Sequence, residues 1–307
     1  RRVGVEVANV DGAALGRLMA GKDAVISALP FGPNAGVARA ARDAGLHYFD
    51  LTEDVDTTRQ VKQIADGADT AFVPQCGLAP GFISIVAHDL ANRFDKVETV
   101  HMRVGALPRY PTNALNYNLT WSTDGLINEY CNPCEAIHGG RRIEVLALQG
   151  KEQFSLDGVT YEAFNTSGRL GTLCETMDGE VRELNYKTVR YPGHCEFMKL
   201  LVNDLRLGER RELFRDVLET AIPMTLQDVV LVFATVTGTR HGRLMQESYA
   251  NKIYSKEING QLWSAIQITT AAGMCAMVDL LRDGKLATSG FVHQEDLALD
   301  SFLANRF

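Results

Sequence analysis

No G-x-G-x-x-G turn and no Walker-type lysine loop occurs in the 307 residues. Such loops aim backbone N–H groups at a phosphate, and Gly168-Arg-Leu-Gly171 keeps only part of that spacing and follows no buried strand. A G-x-S-x-G elbow is absent too, which leaves a serine hydrolase without support. The histidines at 47, 88, 101, 138, 194, 241 and 293 form neither H-E-x-x-H nor H-x-x-x-H. Apolar runs reach only about six residues, against the ~20 needed to cross a bilayer. The stretch from Leu262 to Leu281 comes closest, but Ser264, Gln267, Thr269, Thr270 and Asp279 interrupt it. Lys and Arg number 31 against 38 acids, with no basic block, so neither nucleic acid nor a membrane is an expected partner.

Cysteine is present without a framework. The six thiols at 76, 131, 134, 174, 195 and 275 read as reduced, and the expected compartment is the cytoplasm. Cys131-Asn-Pro-Cys134 is one C-x-x-C pair with no second pair to complete a tetrahedral site, so no metal is expected. The length suggests two domains, or one core carrying a large insertion.

The first eighty residues alternate strands and helices. Val3, Val5 and Val7 have the period of a strand, and Asp11 can cap a short helix from Ala13 to Met19. Asp23–Leu29 is apolar almost throughout, as a strand buried on both faces is, and Asn34 can cap an Ala-rich helix to Ala44. Leu46–Asp50, a helix over Val55–Ala65 and Thr70–Pro74 complete a doubly wound parallel sheet. Ligands of such sheets sit at the carboxyl ends of the strands. Here those positions are Asp11, Leu29-Pro30-Phe31, Asp50 to Asp54 and Gln75 to Gly81, although Asp50, Glu53 and Asp54 can equally cap the next helix.

From Lys96 onward the pattern becomes that of strands with one wet face. Val100, Met102 and Val104 alternate with His101 and Arg103, and further strands are expected at 115–121, 142–148, 159–166 and 181–190, with helices at 194–206 and 210–221. A meander follows over Asp228–Thr239, Arg243–Glu257 and Gln261–Ile268, turning at Gly242 and at Asn259-Gly260. This reads as an antiparallel sheet with helices on one face. Small residues within Thr269–Arg282 suit close packing against another element.

One segment gathers chemistry: Asn185-Tyr-Lys-Thr-Val-Arg-Tyr-Pro-Gly-His194, at an expected strand-to-helix turn. Alternation puts Lys187, Val189 and Tyr191 on one face and Tyr186, Thr188 and Arg190 on the other. Arg190 offers a fork for a carboxylate, or else orders the turn by pairing with Glu183 or Glu196. His194 can donate or carry a proton.

With DAVISALPF, GLHYFDLTEDV, QCGLAPGF, YNLTWSTDGLINEY, YEAFNTSG and NYKTVRYPGH in order along the chain, the sequence resembles the saccharopine dehydrogenase family, nearest its bacterial saccharopine dehydrogenase and L-lysine 6-dehydrogenase branch. The resemblance implies a Rossmann-type domain over 1–82, an inserted α+β substrate and dimerisation domain over 83–264, and C-terminal helices over 265–307 that return to the first domain. It also implies oxidation at a C–N bond of an amino acid through an imine, with NAD or NADP taking the hydride. By position, Asp11 would approach the adenine, and Leu29, Pro30 and Phe31 would line the ribose and diphosphate path. Thr52, Glu53 and Gly77, Leu78, Ala79, Pro80 and Gly81 would border the nicotinamide. Phe164, Asn165, Thr166, Ser167 and Arg190 would line the substrate cleft, with His194 and Lys187 as proton-transfer candidates. The family's opening strand and glycine turn have no counterpart here, so the native protein is expected to carry a nucleotide-binding βαβ segment of roughly sixty residues ahead of Arg1. A homodimer is expected, with the 228–268 meander near its contact. Two other readings are a dinucleotide sensor without turnover and a reductase of carboxylated polyamines.

Overall fold

The computed structural model describes residues 4–7, 10 and 12–307; Val3 and Asp11, which carried expectations above, lie outside the described residues. The chain runs α1 (Gly12–Met19), β1 (Ala24–Ser27), α2 (Phe31–Asp43), β2 (His47–Asp50), α3 (Val55–Ala65), β3 (Ala71–Val73) and α4 (Phe82–Ala91). Next come β4 (Lys96–Pro108), α5 (Thr123–Cys131), β5 (Cys134–His138), β6 (Arg141–Val145), β7 (Glu152–Leu156), β8 (Val159–Asn165), α6 (Leu173–Thr176) and β9 (Glu183–Arg190). The last part is α7 (His194–Lys199), α8 (Arg211–Ala221), β10 (Asp228–Arg240), β11 (Arg243–Tyr254), β12 (Lys256–Ile258), β13 (Gln261–Trp263), α9 (Ala265–Arg282), β14 (Gly290–Phe291) and α10 (Leu299–Leu303).

Two sheets organise these elements. A four-stranded parallel sheet has the order β1-β2-β3-β14, so the end of the chain returns to pair with β3. An eight-stranded sheet has the order β11-β10-β4-β9-β5-β6, and the β7–β8 hairpin joins it through β9. This second sheet is mixed: β4 and β9 run parallel, whereas its other pairings are antiparallel. One core spans both sheets. Phe49 and Val73 of the first meet Ile83 and Val86 of α4, Met274 and Met277 of α9, and Val100, Val104 and Val230 of the second. α2 and α3 cover the other face of the parallel sheet through Val37, Ala41 and Val61.

Local chemistry accounts for the element ends. Asp54 caps α3 by accepting from Thr57 N at 2.7 Å. Asn259 and Gly260 both take positive φ (54° and 77°), as a two-residue hairpin turn requires. Gly273 lets α9 lie against the chain after β3, since a Cβ there would stand 2.9 Å from Cys76 O.

Several expectations are corrected. Residues 4–7 form no strand; Val5 and Val7 stand in water and pair with no strand among the described residues. α2 starts at Phe31, and Asn34 lies fully buried inside it, accepting from Ser27 Oγ at 2.6 Å rather than capping. The 115–121 stretch joins no ladder and makes one isolated bridge, Leu119 to Met224. The strand expected to 268 stops at Trp263, because Ser264 and Gln267 form a capping box that opens α9. β5 and β7 were not anticipated, since the Cys-Asn-Pro-Cys run and the charged Lys151-Glu-Gln stretch mask their alternation.

Candidate active site

The carboxyl ends of β1, β2 and β3 converge on a cavity of about 350 Å³. One wall consists of Ala28 to Phe31 after β1, Leu51 to Glu53 after β2 and Gly77 to Pro80 after β3. The facing wall comes from the mixed sheet and α5: Val104, Ala106, Trp121, Ser122, Asp124, Glu129, Arg169, Tyr186, Thr188 and Arg190. Ile266 and Thr270 at the start of α9 close it. The strand period explains β9's share, since Tyr186, Thr188 and Arg190 face the cavity while Val189 enters the core on the sheet's other side.

Glu129 organises the charged wall. It is 4 % exposed, accepts from Thr188 Oγ1 and from Arg190 Nη2 (3.3 Å), and lies 3.5 Å from Arg169 Nε. Arg190 has all its nitrogens engaged: Nε donates to Tyr130 Oη at 3.0 Å and Nη1 to Val189 O at 2.9 Å, with the guanidinium over the Tyr117 ring. The chain of bonds continues inward. Tyr130 Oη lies 3.0 Å from His194 Nε2, and His194 Nδ1 lies 2.8 Å from Leu115 O. Because Leu115 O can only accept, Nδ1 carries the proton and Nε2 accepts from Tyr130. Burial, reinforced by the Arg190 charge, lowers the His194 pKa to about 3 and keeps the ring neutral.

Glu53 stands on the opposite wall. Burial pushes its carboxyl upward, against the opposing pull of Arg169, and it makes no ion pair within 4 Å among the described residues. Gly125 of α5 makes room for it, since a Cβ there would run into the Trp121 ring and stand 2.8 Å from Glu53 Oε1.

The residues singled out by sequence divide sharply. Leu29, Pro30, Phe31, Thr52, Glu53, Gly77, Leu78, Ala79, Pro80 and Arg190 are gathered around the cavity. Gly81 is not on its surface; it turns the chain into α4 at φ 122°, where a Cβ would meet the carbonyls of Gly77 and Gln75. Phe164 packs beside Tyr130 and His194, Asn165 reaches Leu146 O at 3.4 Å, and Ser167 donates to Pro133 O at 2.6 Å. Thr166 bonds Thr188 at 2.7 Å from behind the wall. His194 is buried behind Arg190, away from the cavity. Lys187 points to the opposite face of β9, where it bonds Glu152 at 2.6 Å. Arg190 pairs with Glu129, not with Glu183 or Glu196, which bond His138 and Lys151. Cys131 ends α5 and Cys134 opens β5, and both are free.

Sequence reasoning passed over Trp121, Asp124, Glu129 and Arg169. A signal existed for Glu129: it lies three residues after Leu126 and one before Tyr130, on the apolar face of α5, and a carboxylate there demands a cationic partner.

The family model described as the saccharopine dehydrogenase C-terminal domain matches residues 77–306. The chain belongs to the saccharopine dehydrogenase family. The family match takes in the third cavity loop and the whole charged wall, while the loops after β1 and β2 precede it. A relative from Schizosaccharomyces pombe, saccharopine dehydrogenase [NADP(+), L-glutamate-forming], is 23% identical over 203 residues, covering 63% of this chain and 45% of that protein. The chain thus spans less than half the length of that relative. Among solved structures, apo saccharopine dehydrogenase (L-Glu forming) from Saccharomyces cerevisiae superposes with a TM-score of 0.74 at 17% identity, covering 96% of this chain and 84% of that one. Homospermidine synthase from Legionella pneumophila, solved in complex with NAD, gives 0.60 at 12% identity, covering 94% and 74%. Both likenesses carry the fold: a Rossmann-type parallel sheet joined to an α+β part. No helix among the described residues is long and apolar enough to cross a membrane.

Proposed function

We propose that this protein is a nicotinamide-dependent oxidoreductase acting at a C–N bond of an amino acid of the saccharopine or L-lysine type. The observation that carries the reading is the cavity itself, set at the carboxyl ends of three parallel strands and faced by a charged wall within the family-matched region. The residues present suit the nicotinamide end of NAD or NADP: Leu29, Pro30, Leu78 and Ala79 make an apolar slot, and Gly77 lets its loop fold back closely, since a Cβ there would stand 3.3 Å from Pro80 O. When bound, the cofactor supplies the hydride acceptor.

The chain's own residues do the rest. The apolar slot excludes water from the reacting carbon. Glu53, buried on the cavity wall with its carboxyl pushed above its ordinary value by that burial, is the group best placed to take a proton from the substrate amine. It replaces His194 and Lys187 in that role, because neither of them lines the cavity. Glu129 and Arg190 hold the facing wall in register.

Incubation with NAD or NADP and either L-lysine or saccharopine should produce reduced nicotinamide, read by its absorbance. Failure with both substrates and both cofactors overturns the reading, and dinucleotide binding without turnover would favour a sensor. The carboxyls of Glu53, Asp124 and Glu129 around one cavity also suit a polyamine, which is the second reading. We further propose a cytoplasmic homodimer, paired near β11, whose outer edge carries exposed Leu244, Met245 and Tyr254. A monomer by light scattering at micromolar concentration would refute the dimer.

A further inference from the structure

A carboxylate lies behind the parallel-sheet wall rather than on it. Asp50 ends β2, is fully buried, and has no cation paired with it among the described residues. Three donors take the place of a cation. Its Oδ1 accepts from Thr52 N at 3.0 Å and from Gln75 N at 2.9 Å, and its Oδ2 accepts from Tyr48 Oη at 2.7 Å. Its main-chain oxygen accepts from Cys76 N at 2.9 Å. One residue thus ties the loop after β2, which carries Thr52 and Glu53, to the loop after β3, which carries Gly77 to Pro80. The network reaches the third loop as well. Tyr48 Oη lies 3.3 Å from Asn34 O, and Asn34 Oδ1 accepts from Ser27 Oγ at 2.6 Å, where β1 ends just before Ala28 and Leu29.

Sheet pairing does not extend to these loops. β2 and β3 pair only at Tyr48 with Phe72 and Phe49 with Val73, so beyond Val73 the carboxylate and main-chain oxygen of Asp50 join the two chains. The segment after β3 also begins under constraint. Gln75 takes positive φ (64°), a conformation that a residue with a side chain avoids unless its surroundings impose it. Asp50 Oδ1 grips the N–H of that residue, and Thr58 Oγ1 accepts from its Nε2 at 3.0 Å. A buried carboxylate without a cation is costly, and one oxygen that accepts two N–H groups from different loops fixes their separation.

We infer that Asp50 is a positioning residue, whose Oδ1 sets the spacing of Thr52-Glu53 against the Gly77–Pro80 loop and so the width of the slot that takes the nicotinamide ring. The ring as occupant rests on the function proposed above; the clamp rests on the bonds of Asp50.

Paired ligands test this without turnover. NADH or NADPH, whichever binds more tightly, is compared by calorimetry with ADP-ribose or 2′-phospho-ADP-ribose, its counterpart without the nicotinamide ring. The dinucleotide should bind the unaltered protein about 10-fold or more tightly than the ring-free ligand. Asp50→Ala should cut that advantage roughly 10-fold while the ring-free ligand stays within about twofold. Asp50→Asn should keep most of the advantage, because its Oδ1 still accepts both N–H groups and its Nδ2 can donate to Tyr48 Oη. A residue that only stabilises the fold would leave the ratio of the two ligands unchanged in Asp50→Ala, and that result overturns the inference. Equal binding of the two ligands by the unaltered protein overturns it too, as does an Asp50→Asn protein that loses as much as Asp50→Ala. Where Asp50→Ala fails to fold, Tyr48→Phe decides. It keeps the ring stacked on Phe72, removes only the donor to Oδ2, and should lower the advantage about 2- to 5-fold, an unchanged ratio being the contrary result. A protein that binds neither dinucleotide overturns the proposed function along with the clamp, whereas binding with a ratio insensitive to these variants overturns the clamp alone.

Discussion

The two walls of the cavity are built on different physics. Apart from Glu53, the parallel-sheet wall is loop backbone and small or apolar side chains, at positions that follow from strand order alone. The facing wall is side-chain chemistry, in which Glu129, Arg169 and Arg190 meet although 61 residues separate the first from the last. Glu53 aside, the first wall can tolerate changes of side chain that keep the backbone in place. The second depends on each charge keeping its partner, because a buried ion left alone costs far more than a buried pair.

The sharpest way to break the second wall is Arg190→Ala. It strips Glu129 of its hydrogen-bonded cation and leaves Tyr130 Oη without its donor. Loss of one member of a buried pair costs about 3–5 kcal/mol, so urea denaturation should show a large fall in stability along with lost turnover. A variant with unchanged stability and a raised KM alone would return Arg190 to direct substrate binding.

Behind that wall, His194 should make stability depend on pH. Its folded pKa is lowered to about 3 while an unfolded histidine titrates near 6.5, so the unfolded chain takes up the proton first. This contribution is present above the unfolded pKa and is lost as pH falls toward about 3, at up to about 1.4 kcal/mol per pH unit. Denaturation followed from pH 7 downward should show that slope, and His194→Gln should remove it.

The first wall is tested through its backing rather than its charges. Gly273→Ala would press a methyl toward Cys76 O and Gly77 O and shift the loop after β3. Overpacking of this kind costs about 1–3 kcal/mol, measurable by thermal melting, and the displaced loop should weaken dinucleotide binding as well. The smallest effect is expected on the far side of β9. Lys187→Met removes an ion pair with a partly exposed Glu152, so turnover should stay within about twofold of wild type and stability should change by less than about 1 kcal/mol. A collapse of kcat in that variant would restore Lys187 as a proton carrier.

The same contrast explains what the sequence made legible. Alternation and helix caps located the parallel strands, so nine loop residues from Leu29 to Pro80 could be assigned to one pocket from the sequence alone. Alternation also sorted the two faces of β9 correctly, yet it could not say which face met the cleft. Arg169 sits in a loop with no period, and its place opposite Ala79 depends on a contact 90 residues away in the chain. The isolated strand assigned to 115–121 failed for a related reason. Its apolar residues are buried by α5, α7 and α8, a packing that alternation cannot distinguish from a ladder.

Catalysis, on this account, takes place between these two walls. A crystal structure of the protein with oxidised nicotinamide dinucleotide and L-lysine tests that claim most directly. The nicotinamide is expected against Leu29, Pro30 and the Gly77–Pro80 loop, with the substrate amine toward Glu53. Ligand density elsewhere on the molecule, or a filled cavity in which the substrate amine turns away from Glu53, would contradict it.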